Sequence, residues 1–458
     1  MKKTPITLSD HFTYKRLLRF TLPPIFMMIF TSVYSVVDGL FVSNFAGEEP
    51  FTAVNLIYPF VMALSAFGFM FGSGGTAVVS KTLGEGDKLR ANKYFTLIVI
   101  VNAATGVLLS VLGLIFLRPV AELLGGKDEI LELAVRYGRI ILIGLPFFTT
   151  QNLFQSFFIA AERSKLGFLV TVASGVTNMV LDALFVAVFR WGLEGAAIAT
   201  TISQFVGGVV PIIYFSCKNS SMLRFVKTEM HGKVLFDTCT NGSSELLSNI
   251  AMSLISMVFN AQLMNLVGNN GVAAYGVIMY VSFIFVAIFI GYTIGMAPIV
   301  GYNYGANNRE ELQNIFKKSL ILISITGVVM FGAGVGLSYP LGYVFFRNNK
   351  ELCDMTAHAM QLYSLCFLVC GFNIFASAFF TALNNGLISA VISFSRTIVF
   401  ELICVFVLPI WLGVDGVWLS VVVGDVLCFI LCAVLTVVYN KKYGYFPTKK
   451  QVGSSSEE

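Results

Sequence analysis

The sequence predicts an all-α integral membrane protein with twelve transmembrane helices, built as two parallel six-helix repeats around a central cleft. Three observations predict this fold class: the composition, an internal repeat, and the distribution of basic residues between loops. Of the 458 residues, 56% are hydrophobic and 12% are charged, and the mean hydropathy is +0.80. So few polar residues cannot cover a soluble protein of this length, which excludes the soluble globular class.

Twelve apolar stretches are each long enough to cross the roughly 30 Å hydrocarbon core of a bilayer as a helix. They are too long and too continuously apolar for barrel strands, and a helix satisfies its own backbone polar groups in lipid. The spans predicted in the first half are 17–42, 52–80, 93–117, 132–160, 166–189 and 194–216. Those predicted in the second half are 236–267, 272–301, 314–346, 355–382, 388–411 and 415–439.

A shift of 221 residues aligns the two halves of the chain. The aligned pairs are Ala53 with Ala274, Gly74 with Gly295, Gly84 with Gly305, and Ala46-Gly47 with Val267-Gly268. Such doubling is typical of secondary transporters, whose two lobes rock around a site between them. We therefore expect an N-lobe at 1–217, a cytoplasmic linker at 218–233, a C-lobe at 234–440 and a cytoplasmic tail at 441–458.

Basic residues indicate the orientation of the chain in the membrane. Lysine and arginine crowd the loops on the side that holds both termini, whereas the opposite loops carry Arg118, Lys127, Arg190, Arg347 and Lys350. The positive-inside rule then predicts a multi-pass protein of the cytoplasmic membrane with both termini cytoplasmic. Because six spans separate the copies, both repeats point the same way. The net charge of +5 thus reflects topology, and no basic patch with interleaved aromatic residues predicts a nucleic-acid partner.

Two acidic residues of the first half lie at membrane depth without a basic residue at that level of their spans. They are Asp38 in the first span and Asp182 in the fifth. A bare carboxylate at the bilayer centre costs about 2.5 to 3.5 kcal/mol on insertion scales, so each must face the bundle and be protonated or bound to a cation. Both solutions are forms of ion coupling.

Spacing adds two further residues to this candidate site. Asn178 lies four residues before Asp182, on the same helical face, and Thr200 lies at a matching depth in the next span. Together with Asp38, they offer carboxylate, amide and hydroxyl oxygens, the hard ligands that suit Na⁺. The residues 221 positions later are Phe259, Val399, Ile403 and Val421, so only the first half carries the set. The alternative is that the four residues only hydrogen-bond helices together.

Several segments resemble the multidrug and toxic compound extrusion (MATE) family. The similarity extends over essentially the whole chain and is closest to the bacterial drug-exporter branch of the MepA pump and the DNA-damage-inducible type. The segments that carry it are Leu22-Pro23, Val37-Asp38-Gly39-Leu40-Phe41-Val42, Gly84-Glu85-Gly86-Asp87, Asn178-x-x-x-Asp182 and Gly301-Tyr302-Asn303-Tyr304-Gly305-Ala306-Asn307.

The resemblance implies a secondary active antiporter that exports organic cations and amphiphiles in exchange for Na⁺ or H⁺. It assigns the ion site, including a candidate Na⁺ site, to Asp38, Asn178, Asp182 and Thr200, and it makes Pro23 the proline of a bending first helix. No cofactor is implied beyond the coupling ion. We expect small-molecule drugs and membrane lipid as partners, a monomer, and no enzymatic activity.

Other polar residues at depth are candidates for substrate binding or a second acidic site. Each acid among them could bind a substrate cation, take the coupling proton, or form a salt bridge to a neighbouring helix. Arg396 precedes Glu401 by five residues, about 140° around an α-helix, and is therefore not expected to pair with it. The candidates are Glu245, Glu401, Asp425, Gln151, Asn152, Gln155, Asn260 and Asn373.

Two other functional classes are weighed against the antiporter. A lipid-linked precursor flippase of the same superfamily would be expected to have an arginine-rich cavity, and mid-membrane arginine is nearly absent here. A non-transporting membrane enzyme or receptor is the second class; an enzyme would show a reactive polar cluster near an interface, whereas His11, His231 and His358 are dispersed. The sequence leaves open the coupling ion, the substrate and the conformational state.

Overall fold

The computed structural model describes residues 6–42, 48–347 and 349–446. The predicted repeat match at Ala46-Gly47 and most of the predicted tail, from residue 447 onward, lie outside these residues. Within the described ranges the secondary structure is helical, without strands. This agrees with the all-α prediction.

The described part of the first lobe consists of six long helices. The last turn of the fifth continues as a π-helical segment, Ala183–Val188. The six helices are α1 (Tyr14–Phe41), α2 (Glu48–Gly84), α3 (Lys88–Leu123), α4 (Asp128–Ala160), α5 (Ser164–Asp182) and α6 (Gly192–Ser216).

The second lobe repeats this order, but two of its spans are interrupted. The tenth span is α10 and α11 joined by a 3₁₀ turn, Leu365–Leu368, and the eleventh is α12 and α13 joined by a π-helical segment, Ser395–Glu401. The helices of this lobe are α7 (Gly232–Leu266), α8 (Asn269–Gly305), α9 (Arg309–Phe345), α10 (Lys350–Ser364), α11 (Cys370–Ala382), α12 (Gly386–Phe394), α13 (Leu402–Leu412) and α14 (Val414–Tyr443).

Among the described residues, eleven of these spans are long and apolar enough to cross a membrane. The remaining one of the twelve predicted spans, α4, is 33 residues long. It combines charges in its first turns with buried polar residues in its last turns, which include Gln151, Asn152 and Gln155. Because α4 packs against α2, α3 and α6, protein rather than lipid surrounds much of its polar surface.

The π-helical segments sit next to acidic residues in the fifth span of each lobe. Asp182 immediately precedes the first segment, and Glu401 ends the second. The angle of about 140° between Arg396 and Glu401 is calculated for an α-helix. That value is wrong, because both residues lie in the wider π-helical segment. Single π-turns inside α-helices are frequent at functional sites, where they redirect side chains.

The two lobes meet closely at the end of the bundle near the N-terminus. An ideal Cβ on Gly84 would lie 1.9 Å from the carbonyl oxygen of Tyr302, and one on Gly305 would lie 2.0 Å from that of Lys81. The two contacts are related by the repeat, because Gly84 aligns with Gly305 and Lys81 with Tyr302. Only glycine allows these backbones to approach so closely.

The segment before α1 crosses from one lobe to the other at the same end. The backbone N–H of Leu8 donates to Glu162 Oε1 in the first lobe at 2.7 Å. Four residues later, the N–H of Phe12 donates to the buried Glu311 Oε1 in the second lobe at 2.9 Å. Leu8 and Phe12 are themselves fully buried, so this segment forms part of the contact between the lobes.

Residues 217–231 join the lobes without forming a helix. They lie along the first lobe, where the N–H of Arg224 donates to Asn92 Oδ1 at 2.8 Å and Phe225 stacks on Phe95 at 5.2 Å between ring centroids. The domain boundaries themselves stay a prediction.

Candidate functional site

The structure brings together the four residues that the sequence groups in the first lobe. Asp38 lies in the last turn of α1, Asp182 ends α5 with Asn178 one turn earlier, and Thr200 lies in α6. The Asp38 carboxyl group lies close enough to the other three side chains to interact with them. The amide nitrogen of Asn178 donates to Thr200 Oγ1 at 3.3 Å.

The oxygens of this cluster are buried and largely without partners. Asp38 Oδ1, Asn178 Oδ1 and both carboxylate oxygens of Asp182 accept no hydrogen bond from the described residues. Among the salt bridges of that part of the chain, none includes Asp38 or Asp182. Two neighbouring buried carboxyl groups without a base require a proton or a cation between them. The donor set therefore fits either Na⁺ or a shared proton.

Three tyrosines that the sequence does not predict as site residues lie close to this cluster. Tyr34, Tyr58 and Tyr137 all lie close enough to Asp38 to interact with it electrostatically. Tyr34 could have been found, because it precedes Asp38 by four residues on the same helical face. Tyr58 and Tyr137 come from α2 and α4 and required the tertiary arrangement. Phenol groups can hydrogen-bond a carboxyl group in either protonation state.

A second feature is a cavity of about 220 Å³ where the lobes meet. The first lobe contributes a few residues such as Phe69 and Ser73, and the second lobe contributes most of the wall. The wall combines aromatic and methionine side chains with hydroxyl groups and with the carboxylates of Glu245 and Glu401. Such a mixture suits an amphiphilic ligand that carries positive charge.

Asp425 has a different setting from the other two acids of the second lobe. Its Oδ1 accepts from Arg396 Nε at 2.7 Å and from Asn373 Nδ2 at 3.0 Å. Arg396 and Asn373 line the cavity, while Asp425 does not. Of the three roles considered for this acid, the structure shows the salt bridge to a neighbouring helix. No described salt bridge includes Glu245 or Glu401.

The other polar candidates are not brought to the cavity. Gln151, Asn152 and Gln155 are buried within the first lobe, and an ideal Cβ on Gly207 of α6 would touch Gln151 at 2.5 Å. Asn260 in α7 does not line the cavity either. We attribute this to orientation around the helix, which residue type and depth do not specify.

Pro23 lies in the part of α1 that packs against α8. Next to it, the backbone of Pro24 and Ile25 contacts α8 so closely that a Cβ on Gly291 would lie 2.5 Å from the Ile25 Cα. Further along α1, Phe30 and Tyr34 pack against Gly175 of α5. Proline removes one backbone hydrogen bond of a helix, so α1 is weakened where it packs against α8.

Known proteins resemble the chain over nearly its full length. A family model described as MatE matches it twice, over residues 23–184 and 246–407. The multidrug export protein MepA of Staphylococcus haemolyticus strain JCSC1435 is 22% identical over 429 residues, which is 93% of each chain. MepA of Staphylococcus aureus strain MRSA252 is 22% identical over 428 residues, again 93% of each chain.

Solved structures show the same fold. The outward-facing conformation of a multidrug resistance MATE family transporter of the MOP superfamily superposes with a TM-score of 0.90 at 21% sequence identity. That match covers 95% of this chain and 98% of the solved one. Each segment matched by the family model lies within one of the two six-span lobes.

Proposed function

The chain belongs to the MatE family of membrane transporters, and from that premise we propose that it is a multidrug exporter that exchanges cationic amphiphiles for Na⁺ or H⁺. One observation supports the exchange most directly: Asp38 and Asp182 face each other at depth with unpartnered oxygens. The names of the staphylococcal relatives, multidrug export proteins, support the export of drugs.

The ion binds at the cluster of Asp38, Asn178, Asp182 and Thr200. A Na⁺ ion would be held by carboxylate, amide and hydroxyl oxygens, and a proton would be shared between the two carboxyl groups. Either cation relieves the repulsion between Asp38 and Asp182 and draws the ends of α1 and α5 together. Its binding therefore favours one arrangement of these helices over another.

The substrate binds in the cavity between the lobes. Glu245 and Glu401 supply negative charge there without a described salt-bridge partner, whereas Arg396 is neutralised by Asp425. A cationic amphiphile gains both electrostatic attraction and burial of its apolar part. A lipid-linked pyrophosphate would face carboxylates and one compensated arginine, so this cavity does not favour the flippase alternative.

Orientation determines the direction of transport. Because the basic residues lie on the side of both termini, we place the tightly packed end of the lobes at the cytoplasm. The arrangement described here is then closed to the cytoplasm. Ion entry from outside and substrate release to outside would use this arrangement, and the return step would require the lobes to separate at the Gly84 and Gly305 contacts.

Proteoliposomes that contain the purified protein test this proposal, with Na⁺ and H⁺ gradients imposed separately. We expect one gradient to drive a fluorescent lipophilic cation across the membrane, and Asp38→Asn and Asp182→Asn to reduce that movement to the level of empty vesicles. Asp415→Asn is the matched control, because its carboxylate is exposed and pairs with His358 at 3.0 Å. Movement under neither gradient would refute the exchange, and full activity of Asp182→Asn would remove that residue from the mechanism.

A further inference from the structure

A second cavity, of about 510 Å³, opens beside α1 and the start of α5. It lies at the end of the bundle near the N-terminus, where α4 ends and α5 begins. Its wall includes Arg19 and Pro23 of α1, Arg163 of the preceding loop, and Lys165 and Leu169 of α5. The cavity is separate from both the ion site and the substrate cavity.

The polar part of this cavity is basic. Arg19 and Lys165 are exposed, and neither takes part in a salt bridge of the described chain. Arg163 Nη2 donates to the carbonyl oxygen of Ser220 at 2.8 Å, while its Nε is buried and has no partner in that part of the structure. Three positively charged side chains with unpaired hydrogen-bond donors thus line the same cavity.

Glu162 is the acid that lines the same cavity. Its Oε1 is occupied by the backbone N–H of Leu8 at 2.7 Å. Burial raises the pKa of the Glu162 carboxyl group above its ordinary value, with a further contribution from Asp10. One carboxyl group stands against the three basic side chains of Arg19, Arg163 and Lys165, so the cavity keeps an excess of positive charge.

The other part of the wall is apolar and continues along the outside of the bundle. Phe20, Pro23 and Leu166 line the cavity together with Leu169, which is 60% exposed. One turn further along α1, Phe26 is 54% exposed. A ligand that fits this wall has an anionic head next to an apolar chain. Basic pockets between transmembrane helices near the cytoplasmic surface have this character in proteins that bind acidic lipids.

We propose that this cavity binds the headgroup of an anionic phospholipid from the adjoining leaflet. The phosphate accepts hydrogen bonds and charge from Arg19, Arg163 and Lys165, and an acyl chain lies along Leu169 and Phe26. In the proposed orientation this leaflet is the cytoplasmic one. Because the cavity wall includes Pro23, a bound lipid stabilises the position of α1 relative to α5.

Lipid binding to the full chain in detergent tests this proposal without any measurement of transport. Thermal unfolding and native mass spectrometry are compared for phosphatidylglycerol and for phosphatidylcholine with the same acyl chains. We expect phosphatidylglycerol to raise the unfolding temperature more and to remain bound in larger number. Equal effects of the two lipids would overturn the proposal, and an equal effect of inorganic phosphate alone would reassign the cavity to free anions.

Variants locate the effect at this cavity. Near a membrane surface each basic residue contributes about fivefold to the binding of acidic lipid, so the double variant Arg19→Ala and Lys165→Ala should bind phosphatidylglycerol at least about tenfold more weakly. Lys227→Ala with Lys317→Ala is the matched control, since both lysines are exposed and lie outside the cavity. Lys165→Glu, at an exposed position, provides the same comparison if the double variant does not fold. Unchanged preference for phosphatidylglycerol in these variants would contradict the proposal.

Discussion

The contact between Gly305 and Lys81 determines how closely the lobes can approach at the end near the N-terminus. An alanine at position 305 would place its Cβ 2.0 Å from the Lys81 carbonyl oxygen, whereas ordinary contacts begin at 3.4 Å. The obstacle is backbone, so it cannot rotate away as a side chain can. We therefore expect Gly305→Ala to push the two helices apart by a large part of that difference.

The size of the effect follows from the cost of overpacking. An extra methyl group in a well-packed contact costs about 1–3 kcal/mol, and every 1.4 kcal/mol is a factor of ten in an equilibrium constant. Gly305→Ala should therefore reduce the population of the closed arrangement roughly five- to 150-fold relative to arrangements in which the lobes separate at this end. The repeat-related variant Gly84→Ala should act in the same direction.

Electron–electron double resonance measures this population directly. Nitroxide labels at the exposed positions Lys88 and Glu310 report the distance between the lobes, in a background without the exposed Cys217. Gly276→Ala is the matched control, because it lies in α8 as well and nothing lies within 4 Å of its added Cβ. If Gly305→Ala and Gly276→Ala give the same distances as the unmodified chain, the close approach of the backbones does not govern the opening of the lobes.

Two further predictions concern stability in detergent, measured by thermal unfolding. Glu311→Gln should destabilise the chain by about 1–3 kcal/mol, because the buried carboxylate accepts from Phe12 N–H at 2.9 Å and lies 2.7 Å from His11 Nδ1; the exposed neighbour Glu310→Gln should have little effect, and equal effects would contradict the role of this contact. Asp425→Asn should cost about 3 kcal/mol by leaving Arg396 unpaired, and replacing both residues by Leu and Met should recover most of that loss; a double variant no more stable than the single one would exclude the pair as the cause.

Much of the scaffold could be predicted because hydropathy over 20 residues depends little on tertiary detail. The fourth span is predicted as well, at 132–160, although its polar residues Gln151 and Asn152 lower its apolar character. Convergence of Asp38, Asn178, Asp182 and Thr200 could be inferred because spacing along one helix and depth in the membrane are both sequence properties. The partners that come from other helices could not be inferred in this way.

Most of the contacts that the sequence does not predict are pairs of residues on different helices. Asp425 and Arg396 are 29 residues apart on different spans, and nothing in their local sequence specifies that they meet. The sequence also does not predict the π-helical segments at Ala183–Val188 and Ser395–Glu401, because hydrophobic periodicity is interpreted with the 3.6-residue period of an α-helix. They change which side chains share a face, and they do so next to an acid in each lobe.

The ion site and the substrate cavity are separate, so coupling between them requires a structural element that both can influence. Helix α1 is such an element. Its first half contacts α8 of the second lobe near Gly291, and its last turn carries Asp38. Pro23 lies within the contact with α8, where the helix has lost a hydrogen bond and bends most easily. If ion binding at Asp38 changes this bend, it changes the contact with α8 and hence the wall of the substrate cavity. Thermodynamic linkage then requires the reverse as well: a substrate in the cavity must alter the affinity of the ion site by the same factor.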